Sequence, residues 1–401
     1  MQKIAIKNFG PISNAEIEIK KVVALIGDNA TGKSTIIKLI STFLWIEKAL
    51  FRGSEEKWFE KQNRLKTFFL PYHRIENYLN STSDIEYYGV AYNIRYNNEK
   101  ISIEPKKKHT YQLPQIMYVP AERNFLTYLR STNDLKSEGA LQDFERELFN
   151  ASSSLNGALT LPIGGFEIEY SKRHEMLYVR DKDHKIKITE AASGLQSSAP
   201  LYIVSDYLSK IVQNNGHSEA MTSGSIRKFQ KEINEILNNE NLSEKQKQIA
   251  ISALSGKFNK KAFINIVEEP EQNLFPVSQV QVVKSLIQIC NSNDHNKLVI
   301  STHSPYVLTI FNNLLFAQRA VEKNGEIEAE ASQIAGKEIR LKSDDFSAYA
   351  VTKDGSNGHI VKSIVDETTG MIAQNYLDTA SEILGNEFNA LYNLHAKSFR
   401  R

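Results

Sequence analysis

Apolar positions along this chain fall into two patterns, and both predict the strands of a large sheet. Alternating apolar and polar residues on either side of the turn Phe9-Gly10-Pro11 predict half-buried strands at 3–7 and 15–19. Alternation returns over 85–104, which predicts further antiparallel strands. Uninterrupted apolar runs predict strands buried on both faces, at 22–26, 115–119, 263–267 and 297–301. Together the two patterns predict an α/β fold with a mixed sheet.

Helical spacing of apolar residues separates these strands and continues after the last of them. It predicts a helix after residue 33 and further helices at 126–151, 200–212, 277–290 and 372–394. Short alternating segments predict hairpin strands at 166–170, 176–180 and 185–189, and again at 348–352 and 359–365. Strands and helices thus alternate along most of the chain.

The order of these elements predicts a single domain over residues 1–401 with four added segments. They are an inserted helical and β lobe at 45–113, a helical lobe at 124–160, a helical insertion at 213–260 and a C-terminal α+β segment at 340–401. The stretch from Phe43 to Tyr78 is aromatic and charged, a composition that also suits nucleic-acid stacking. We favour helices that bury these aromatic side chains among themselves.

Composition narrows the class of protein. The 401 residues are 41% hydrophobic and 24% charged, as in an ordinary soluble protein, and the net charge is +2. The only cysteine, Cys290, rules out a disulfide within the chain and favours a reducing compartment. A strand follows the first residues directly, and no apolar run approaches ~18–20 residues, so we expect neither a signal peptide nor a membrane partner. The expected location is the cytoplasm.

The segment from Gly27 to Ser34 has the pattern G-x-x-x-x-G-K-S between a buried strand and a helix, which is the context of a phosphate-binding loop. Glycines allow such a loop to turn its backbone N–H groups toward phosphate oxygens. A lysine at the start of the helix reaches the β- and γ-phosphates, and the following serine ligates Mg²⁺. The predicted ATP-binding residues of this loop are Gly27, Asn29, Thr31, Gly32, Lys33, Ser34 and Thr35.

Two further strand ends carry polar residues that suit hydrolysis of ATP. Glu268 and Glu269 follow the apolar run 263–267, as in a Walker B element. The first carboxylate is expected to hold Mg²⁺ through water, and the second to orient or deprotonate the attacking water. His303 follows the strand 297–301, from where it can contact the γ-phosphate. We therefore predict Glu269 and His303 as catalytic residues, with Ser34 and Glu268 at the metal.

These motifs, together with Ser193-Gly194-Leu195-Gln196, resemble those of ABC-type ATPase heads, and most of all the RecF/SMC/OLD-like ATPases grouped with bacterial phage-defence systems. The resemblance implies an ABC-type P-loop ATPase head with an antiparallel β subdomain and helical insertions. It implies a signature loop in which Ser193, Gly194 and Gln196 contact ATP bound to a second subunit. It further implies that His303 is a switch histidine and that Asn8 and Phe9 lie near the nucleotide.

Three departures from the family pattern concern the site. Glu268 stands where many relatives have aspartate, and the signature reads Ser-Gly-Leu-Gln rather than Ser-Gly-Gly-Gln. The segment Pro120-Ala121-Glu122-Arg123 follows the strand where a Q-loop glutamine is expected. Glu122 is therefore a candidate for the role that faces Mg²⁺.

The resemblance leaves two functions open. The first is an ATP-driven switch, a head-to-tail homodimer at least, that controls a partner effector such as a nuclease or toxin in phage defence. The alternative is a RecF-like clamp that acts on DNA in repair or chromosome maintenance. A transporter subunit fits less well because two antiparallel strands precede the phosphate-binding loop. The basic run Lys106-Lys107-Lys108 is a candidate contact to nucleic acid, although such runs are usually solvated loops.

Overall fold

The computed structural model describes residues 2–128, 139–215, 231–239, 241–243, 246–247, 250, 260–355, 358–372 and 379–398. In these residues an eleven-stranded sheet has the order β6-β5-β4-β1-β2-β15-β14-β3-β13-β12-β7, and a four-stranded sheet has the order β11-β10-β9-β8. The strands are β1 Lys3–Phe9, β2 Ile12–Glu18, β3 Val22–Gly27, β4 Asp84–Tyr88, β5 Tyr92–Asn97, β6 Lys100–Pro105, β7 Pro114–Val119, β8 Leu159–Thr160, β9 Glu167–Ser171, β10 Met176–Arg180, β11 Lys185–Lys187, β12 Ala262–Glu268, β13 Lys297–Thr302, β14 Phe346–Lys353 and β15 His359–Ser363.

Helices cover both faces of the large sheet. They are α1 Lys33–Phe51, α2 Glu56–Phe59, α3 Ala140–Ser153, α4 Ser193–Asn215, α5 Pro276–Asn291, α6 Pro305–Lys323, α7 Glu328–Ile334 and α8 Thr379–Ser398. Shorter helical turns lie at Leu65–Phe69, Leu70–His73, Glu76–Tyr78, Ala121–Tyr128, Ile188–Glu190, Gly325–Ile327, Lys337–Ile339 and Ser343–Asp345. None of the helices described is long and apolar enough to cross a membrane.

The parallel half of the large sheet consists of strands that the apolar runs predict. β3 pairs in parallel with β13, β13 with β12, and β12 with β7. Every residue of β3 is buried: Val22 and Ala24 belong to one hydrophobic core, whereas Val23 and Leu25 belong to the core on the other face. Parallel strands that are covered on both faces read as continuous apolar runs, which is why the pattern predicts them. The α/β fold with a mixed sheet is confirmed.

The antiparallel half contains β1, β2 and the three strands of the predicted inserted lobe. β1 pairs with β2 and with β4, and β4 to β6 form a meander. The strands predicted within 45–113 therefore extend the main sheet. The helix after the phosphate-binding loop also continues to Phe51, so the first residues assigned to the lobe belong to α1.

The aromatic stretch buries its side chains, as favoured above. Trp58, Phe59, Phe68 and Phe69 are at most 5% exposed, and their rings contact one another at centroid distances from 4.7 to 6.0 Å. These rings form part of the hydrophobic core on the α1 face of the sheet. They are not available to stack on nucleic-acid bases.

Several predicted boundaries move. The helix predicted at 126–151 is a 3₁₀ turn, Ala121–Tyr128, and a separate helix α3, with residues 129–138 outside those described. Of the insertion predicted at 213–260, residues 231–237 are helical, and much of the remainder lies outside the described residues. The helix predicted at 372–394 is α8, and the described members of its apolar stripe, Leu384, Phe388 and Leu391, are more than 60% exposed.

The C-terminal hairpin lies inside the main sheet. β14 pairs in parallel with β3 and antiparallel with β15, and β15 pairs in parallel with β2. The hairpin therefore separates β2 from β3, although these two strands are consecutive in the chain. The segment predicted as an α+β addition at 340–401 thus supplies the strand next to the phosphate-binding loop.

Candidate nucleotide-binding site

The loop between β3 and α1 needs glycine at two positions for space as well as conformation. Gly27 has φ +158°, and a Cβ atom there would lie 2.6 Å from the carbonyl oxygen of Val351 in β14. Gly32 has φ +102°, in the left-handed region, and its Cβ atom would lie 2.6 Å from Cδ1 of Ile12. The C-terminal hairpin and the β1–β2 turn therefore hold this loop from two sides.

Lys33, the first residue of α1, is 4% exposed and lies against the loop. Its Nζ donates to the carbonyl oxygens of Gly27 at 2.8 Å and Asp28 at 2.7 Å. Burial lowers the Lys33 pKa to about 8, and the nearby carboxylates Glu269, Asp28 and Glu271 act in the opposite direction. A phosphate group beside this ammonium would favour its charged form, as expected for a cation that binds phosphate.

Ser34 and Glu268 face each other from α1 and the end of β12. The Ser34 hydroxyl donates to Oε2 of Glu268 at 3.2 Å, and Nζ of Lys38 lies 3.9 Å from Oε1. The buried phenol of Tyr118 in β7 also donates to Oε1 of Glu268. Burial raises the Glu268 pKa. A hydroxyl and a carboxylate are hard oxygen donors, so the pair fits an Mg²⁺ ion that takes its other ligands from phosphate and water.

A second cluster joins three elements around His303. The geometry indicates that Nδ1 of His303 accepts from Nζ of Lys33 at 3.3 Å and that its Nε2 faces Oε1 of Glu269 at 3.4 Å. This tautomer is assigned from the hydrogen-bond partners. The hydrogen bond from His303 is the main cause of a lowered Glu269 pKa, so this carboxylate stays ionised at neutral pH. Lys33, Glu269 and His303, predicted separately, are thus brought into contact.

Glu269 has an unusual backbone conformation for a glutamate. Its φ is +44°, in the left-handed region, and its N–H donates to the carbonyl oxygen of Ser301 at 2.9 Å. A residue with a side chain holds this conformation only when its surroundings fix it. The turn after β12 therefore directs Glu269 toward His303, while Glu268 faces the serine hydroxyl.

Glu271 has a positioning role that the sequence prediction did not assign. Its Oε1 accepts from the Thr302 hydroxyl and from the His303 N–H, both at 2.7 Å. Burial raises the Glu271 pKa. These bonds fix the end of β13 to the turn after β12 and so fix the backbone that carries His303.

The predicted signature residues lie at the start of α4, which begins at Ser193 and not at the predicted residue 200. Ser193 is exposed, and Gly194 is half-buried against the carbonyl oxygen of Asn273. A helix N-terminus presents free N–H groups and the positive end of the helix dipole, which suits a phosphate. No hydrogen bond joins Ser193 to the phosphate-binding loop within the residues described.

Gln196, the third predicted signature residue, points into the chain. It is 6% exposed, and its side-chain amide donates to the carbonyl oxygens of Thr189 at 3.1 Å and Ala191 at 2.9 Å. In this arrangement the amide holds the turn before α4, and its contact with ATP on a second subunit stays a prediction. Because α4 starts at Ser193, Gln196 lies on the buried side of its first turn.

The other predicted residues occupy different environments. Asn29 is exposed at the tip of the loop, Thr31 donates to the carbonyl oxygen of Asp28 at 2.9 Å, and Thr35 is buried in α1. Glu122 is exposed, and it is close enough to Glu268 to raise the pKa of that carboxyl. Its role as a residue that faces Mg²⁺ stays a prediction. Phe9 is fully buried with its ring edge-on to Tyr78, so it cannot stack on an adenine.

Two further residues were missed, Tyr118 and Arg123. Arg123 is the last residue of the segment 120–123, where a Q-loop glutamine is expected, and Tyr118 lies in the strand before it. The Arg123 side chain is fully buried and donates to carbonyl oxygens at the end of β12. The available signal for Tyr118 was a polar group near the end of a predicted buried strand, and for Arg123 a charged residue shortly after that strand.

A model of the AAA ATPase domain family matches residues 1–308. No curated protein matches the chain. Many solved structures match this chain. The SMC head domain from Thermotoga maritima is 10% identical, with 90% of this chain and 98% of that chain covered and a TM-score of 0.37.

Two further solved structures are similar to this chain. The SMC head bound to the C-winged helix domain of ScpA is 10% identical, with coverages of 91% and 98% and a TM-score of 0.41. The recombination mediator protein RecF is 12% identical, with coverages of 91% and 98% and a TM-score of 0.33.

Proposed function

The chain belongs to the AAA ATPase domain family, and on that premise we propose that it is an ATP-driven switch whose working unit is a head-to-tail homodimer. Each copy contributes one phosphate-binding loop and one signature segment. Ser193 and Gly194 of one copy complete the binding site of the ATP that the other copy holds. The ATP-dependent state of the dimer then controls a partner effector.

The observation that carries this proposal is the position of the signature segment. Ser193 is exposed at the N-terminus of a long helix, and hydrogen bonds join the other site residues to one another. An exposed helix N-terminus can bind an anion from outside the chain. The γ-phosphate of ATP on a second copy is such an anion, and ADP lacks it. Hydrolysis is therefore expected to weaken the dimer.

The described residues divide the chemistry of hydrolysis among them. Lys33 binds the β- and γ-phosphates, and Ser34 with Glu268 would hold Mg²⁺. When bound, this ion neutralises charge on the phosphate oxygens. Glu269, kept ionised by His303, orients the attacking water and accepts its proton. His303 lies between Glu269 and Lys33 and so links the water-activating carboxylate to the phosphate-binding lysine.

The proposed partner is an effector, a nuclease or toxin, in bacterial phage defence. Support for this part comes from the resemblance of the four motifs to ATPases of such systems. The matched residues 1–308 carry all four motifs. Purification of the native complex with ATP present, followed by mass spectrometry, identifies the partner. Recovery of replication or repair proteins in place of an effector would favour the clamp alternative.

The assembly test uses Glu269→Gln, which should bind ATP but hydrolyse it about 10²–10⁴-fold more slowly. Light scattering should show a dimer with ATP and a looser or monomeric state with ADP. Ser193→Arg in the same background should keep nucleotide binding and lose the ATP-dependent tightening. Lys33→Ala is the matched control that loses binding itself. Normal hydrolysis by Ser193→Arg alone would contradict the shared site.

The DNA-clamp alternative has one favourable observation: Lys107 and Lys108 are exposed in the loop after β6. Lys106 differs, because its Nζ donates to the carbonyl oxygen of Gly89 at 2.6 Å. If the two exposed lysines contact duplex DNA, log affinity should fall with log salt by roughly 0.9 per phosphate neutralised. Lys107→Ala with Lys108→Ala should then reduce that slope by about 2. An unchanged slope removes this loop from the alternative.

A further inference from the structure

Arg123 is the largest fully buried side chain described, with 0% exposure. Four of its N–H groups donate to backbone carbonyl oxygens. Nε donates to Ser197 at 3.0 Å, Nη1 to Pro120 at 3.2 Å and Glu268 at 2.6 Å, and Nη2 to Glu269 at 2.5 Å. A buried guanidinium whose bonds all end on main-chain oxygens fixes the backbone of three separate segments.

These segments are the ones that carry the site. Pro120 follows β7, the Glu268 and Glu269 carbonyls belong to the end of β12, and Ser197 lies in the first turns of α4. Arg123 therefore joins the helix that begins with the signature residues to the backbone of the metal-binding and catalytic glutamates. The carboxylates of Glu271, Glu269 and Glu268 are close enough to stabilise its charge.

A second contact supports the same link. The Ser197 hydroxyl donates to Oε1 of Gln272 at 3.1 Å, and a Cβ atom on Gly194 would lie 2.8 Å from the carbonyl oxygen of Asn273. The start of α4 is thus packed tightly on the turn that follows Glu269. A displacement of α4 cannot occur without a displacement of that turn, because interiors are close-packed.

We propose that Arg123 is a positioning residue that fixes the backbone of Glu269 to the signature helix α4, so that docking of Ser193 on a second copy sets the position of the catalytic carboxylate in its own chain. The inference rests on the proposed function. Glu269 holds a left-handed backbone at φ +44°, which persists only when its surroundings determine it. The hydrogen bond from Arg123 to the carbonyl oxygen of Glu269 helps to hold this backbone conformation.

The fork of the guanidinium is essential to this role. Arginine presents five N–H groups in a rigid planar arrangement, whereas lysine presents a single ammonium on a flexible stem. Arg123→Lys keeps the charge but cannot reach Ser197, Glu268 and Glu269 together. A displacement of a catalytic group by ~1 Å can lower a rate about 10²-fold. We expect a loss of that order in kcat.

The experiment measures kcat and KM for ATP hydrolysis, nucleotide affinity, dimer mass and Tm for Arg123→Lys. The matched control is Arg340→Lys, because Arg340 is also buried and bonds to Glu328, Ser332 and the Ala335 carbonyl oxygen away from the site. Arg123→Lys should lower kcat about 10²-fold with nucleotide affinity and dimer mass unchanged. Arg340→Lys should lower Tm to a similar extent with kcat unchanged.

Ser197→Ala provides a second, milder variant, which removes the bond to Gln272 and leaves the carbonyl that Arg123 binds. It should lower kcat several-fold in the same direction, with Tm nearly unchanged. Loss of nucleotide affinity or of the dimer in Arg123→Lys would make the residue purely structural and overturn the inference. A kcat near that of the unsubstituted chain would also overturn it.

Ser193→Arg, measured in parallel, separates the two levels of the proposal. Normal hydrolysis by Ser193→Arg means that the shared site itself is wrong. Loss of hydrolysis by Ser193→Arg with normal hydrolysis by Arg123→Lys leaves the shared site intact and rejects only the positioning role of Arg123.

Discussion

Two buried glutamates in this molecule each accept a hydrogen bond from a buried tyrosine, but we expect one to stabilise the fold and the other to bind a cation. Glu47 of α1 accepts from Tyr87 of β4 at 2.6 Å, and Glu268 of β12 accepts from Tyr118 of β7. Burial raises the pKa of both carboxyls. Glu47 is 0% exposed and Glu268 is 5% exposed, so burial alone does not distinguish them.

The remaining partners make the difference. Glu47 accepts from the backbone N–H of Ala91 at 2.6 Å and of Tyr92 at 3.3 Å, and from the Gln2 amide at 3.3 Å. Backbone N–H groups thus hold Oε1 of Glu47, and side chains hold its Oε2. The other neighbours of Glu268 are the Ser34 hydroxyl and the Lys38 ammonium, both side-chain groups. A carboxylate held by backbone donors stabilises the fold, whereas one held by exchangeable side-chain donors can also bind a cation.

The largest effect that tests this comparison comes from neutralising each carboxylate. Glu268→Gln should abolish Mg²⁺-dependent hydrolysis, because the ion stabilises the transition state by several kcal/mol. Glu47→Gln should leave kcat unchanged and lower the free energy of unfolding by about 1–3 kcal/mol, because amide and N–H donors then face each other. Steady-state hydrolysis and chemical denaturation of both variants provide the data. A large kcat loss in Glu47→Gln would break the comparison.

A smaller effect is expected from the two tyrosines. Tyr118→Phe removes the hydroxyl that directs Oε1 of Glu268, and loss of such an outer-shell partner typically weakens metal affinity by 10–100-fold. Hydrolysis should therefore need more Mg²⁺ to reach the same maximal rate. Tyr87→Phe, the matched control, should leave the Mg²⁺ dependence unchanged and lower only the Tm. A titration of hydrolysis with Mg²⁺ at saturating ATP distinguishes them, and equal Mg²⁺ curves for both variants would contradict the role of Tyr118.

The smallest effect concerns pH. Because burial raises the pKa of each carboxyl above the ordinary glutamate value of 4.5, the folded chain binds more protons than the unfolded chain just above that pH. The contribution of each group to stability is therefore present at lower pH and lost as pH rises through the folded-state pKa. Both glutamine variants should gain stability relative to the unsubstituted chain as pH rises from about 4.5.

Mg²⁺ with ADP sharpens this last test. A bound cation favours the ionised form of Glu268 and lowers its pKa, so the relative gain of Glu268→Gln should vanish with the nucleotide present. Glu47→Gln should keep its gain, since no cation reaches that carboxyl. Denaturation curves at two pH values, with and without Mg²⁺ and ADP, measure the stability of both variants relative to the unsubstituted chain. An identical response of the two variants to the nucleotide would show that the two sites do not differ.

Local pattern predicts the strand ends of this fold, and therefore most of the residues that meet at the site. Lys33, Glu269 and His303 follow apolar runs that can be recognised without knowing which strands pair. The role of Tyr118 depends on the pairing of β7 with β12, because the residues it joins are 150 positions apart. Arg123 depends in addition on where α4 packs. Neither fact is encoded in the spacing of nearby residues.

The position of the last hairpin shows the same limit more strongly. Turn chemistry at 354–358 predicts a hairpin, but only the assembled sheet shows that it separates β2 from β3. The start of α4 was placed too late because Pro200 was taken as its first residue, whereas the helix begins at Ser193. The remaining site assignments stay predictions until the variants above are measured.

The hairpin position has a consequence for the order in which the molecule becomes active. The Tyr349 hydroxyl in β14 accepts from the Glu18 N–H, across 331 positions of chain, and Val351 lies directly against Gly27. A ribosome therefore makes the phosphate-binding loop early and β14, one of the two strands that pair with β3, more than 300 residues later. We expect a nascent chain that ends before residue 346 to lack a formed ATP site. Activity would then begin only after β14 is made, so that an unfinished chain could neither hydrolyse ATP nor form a dimer with a finished chain.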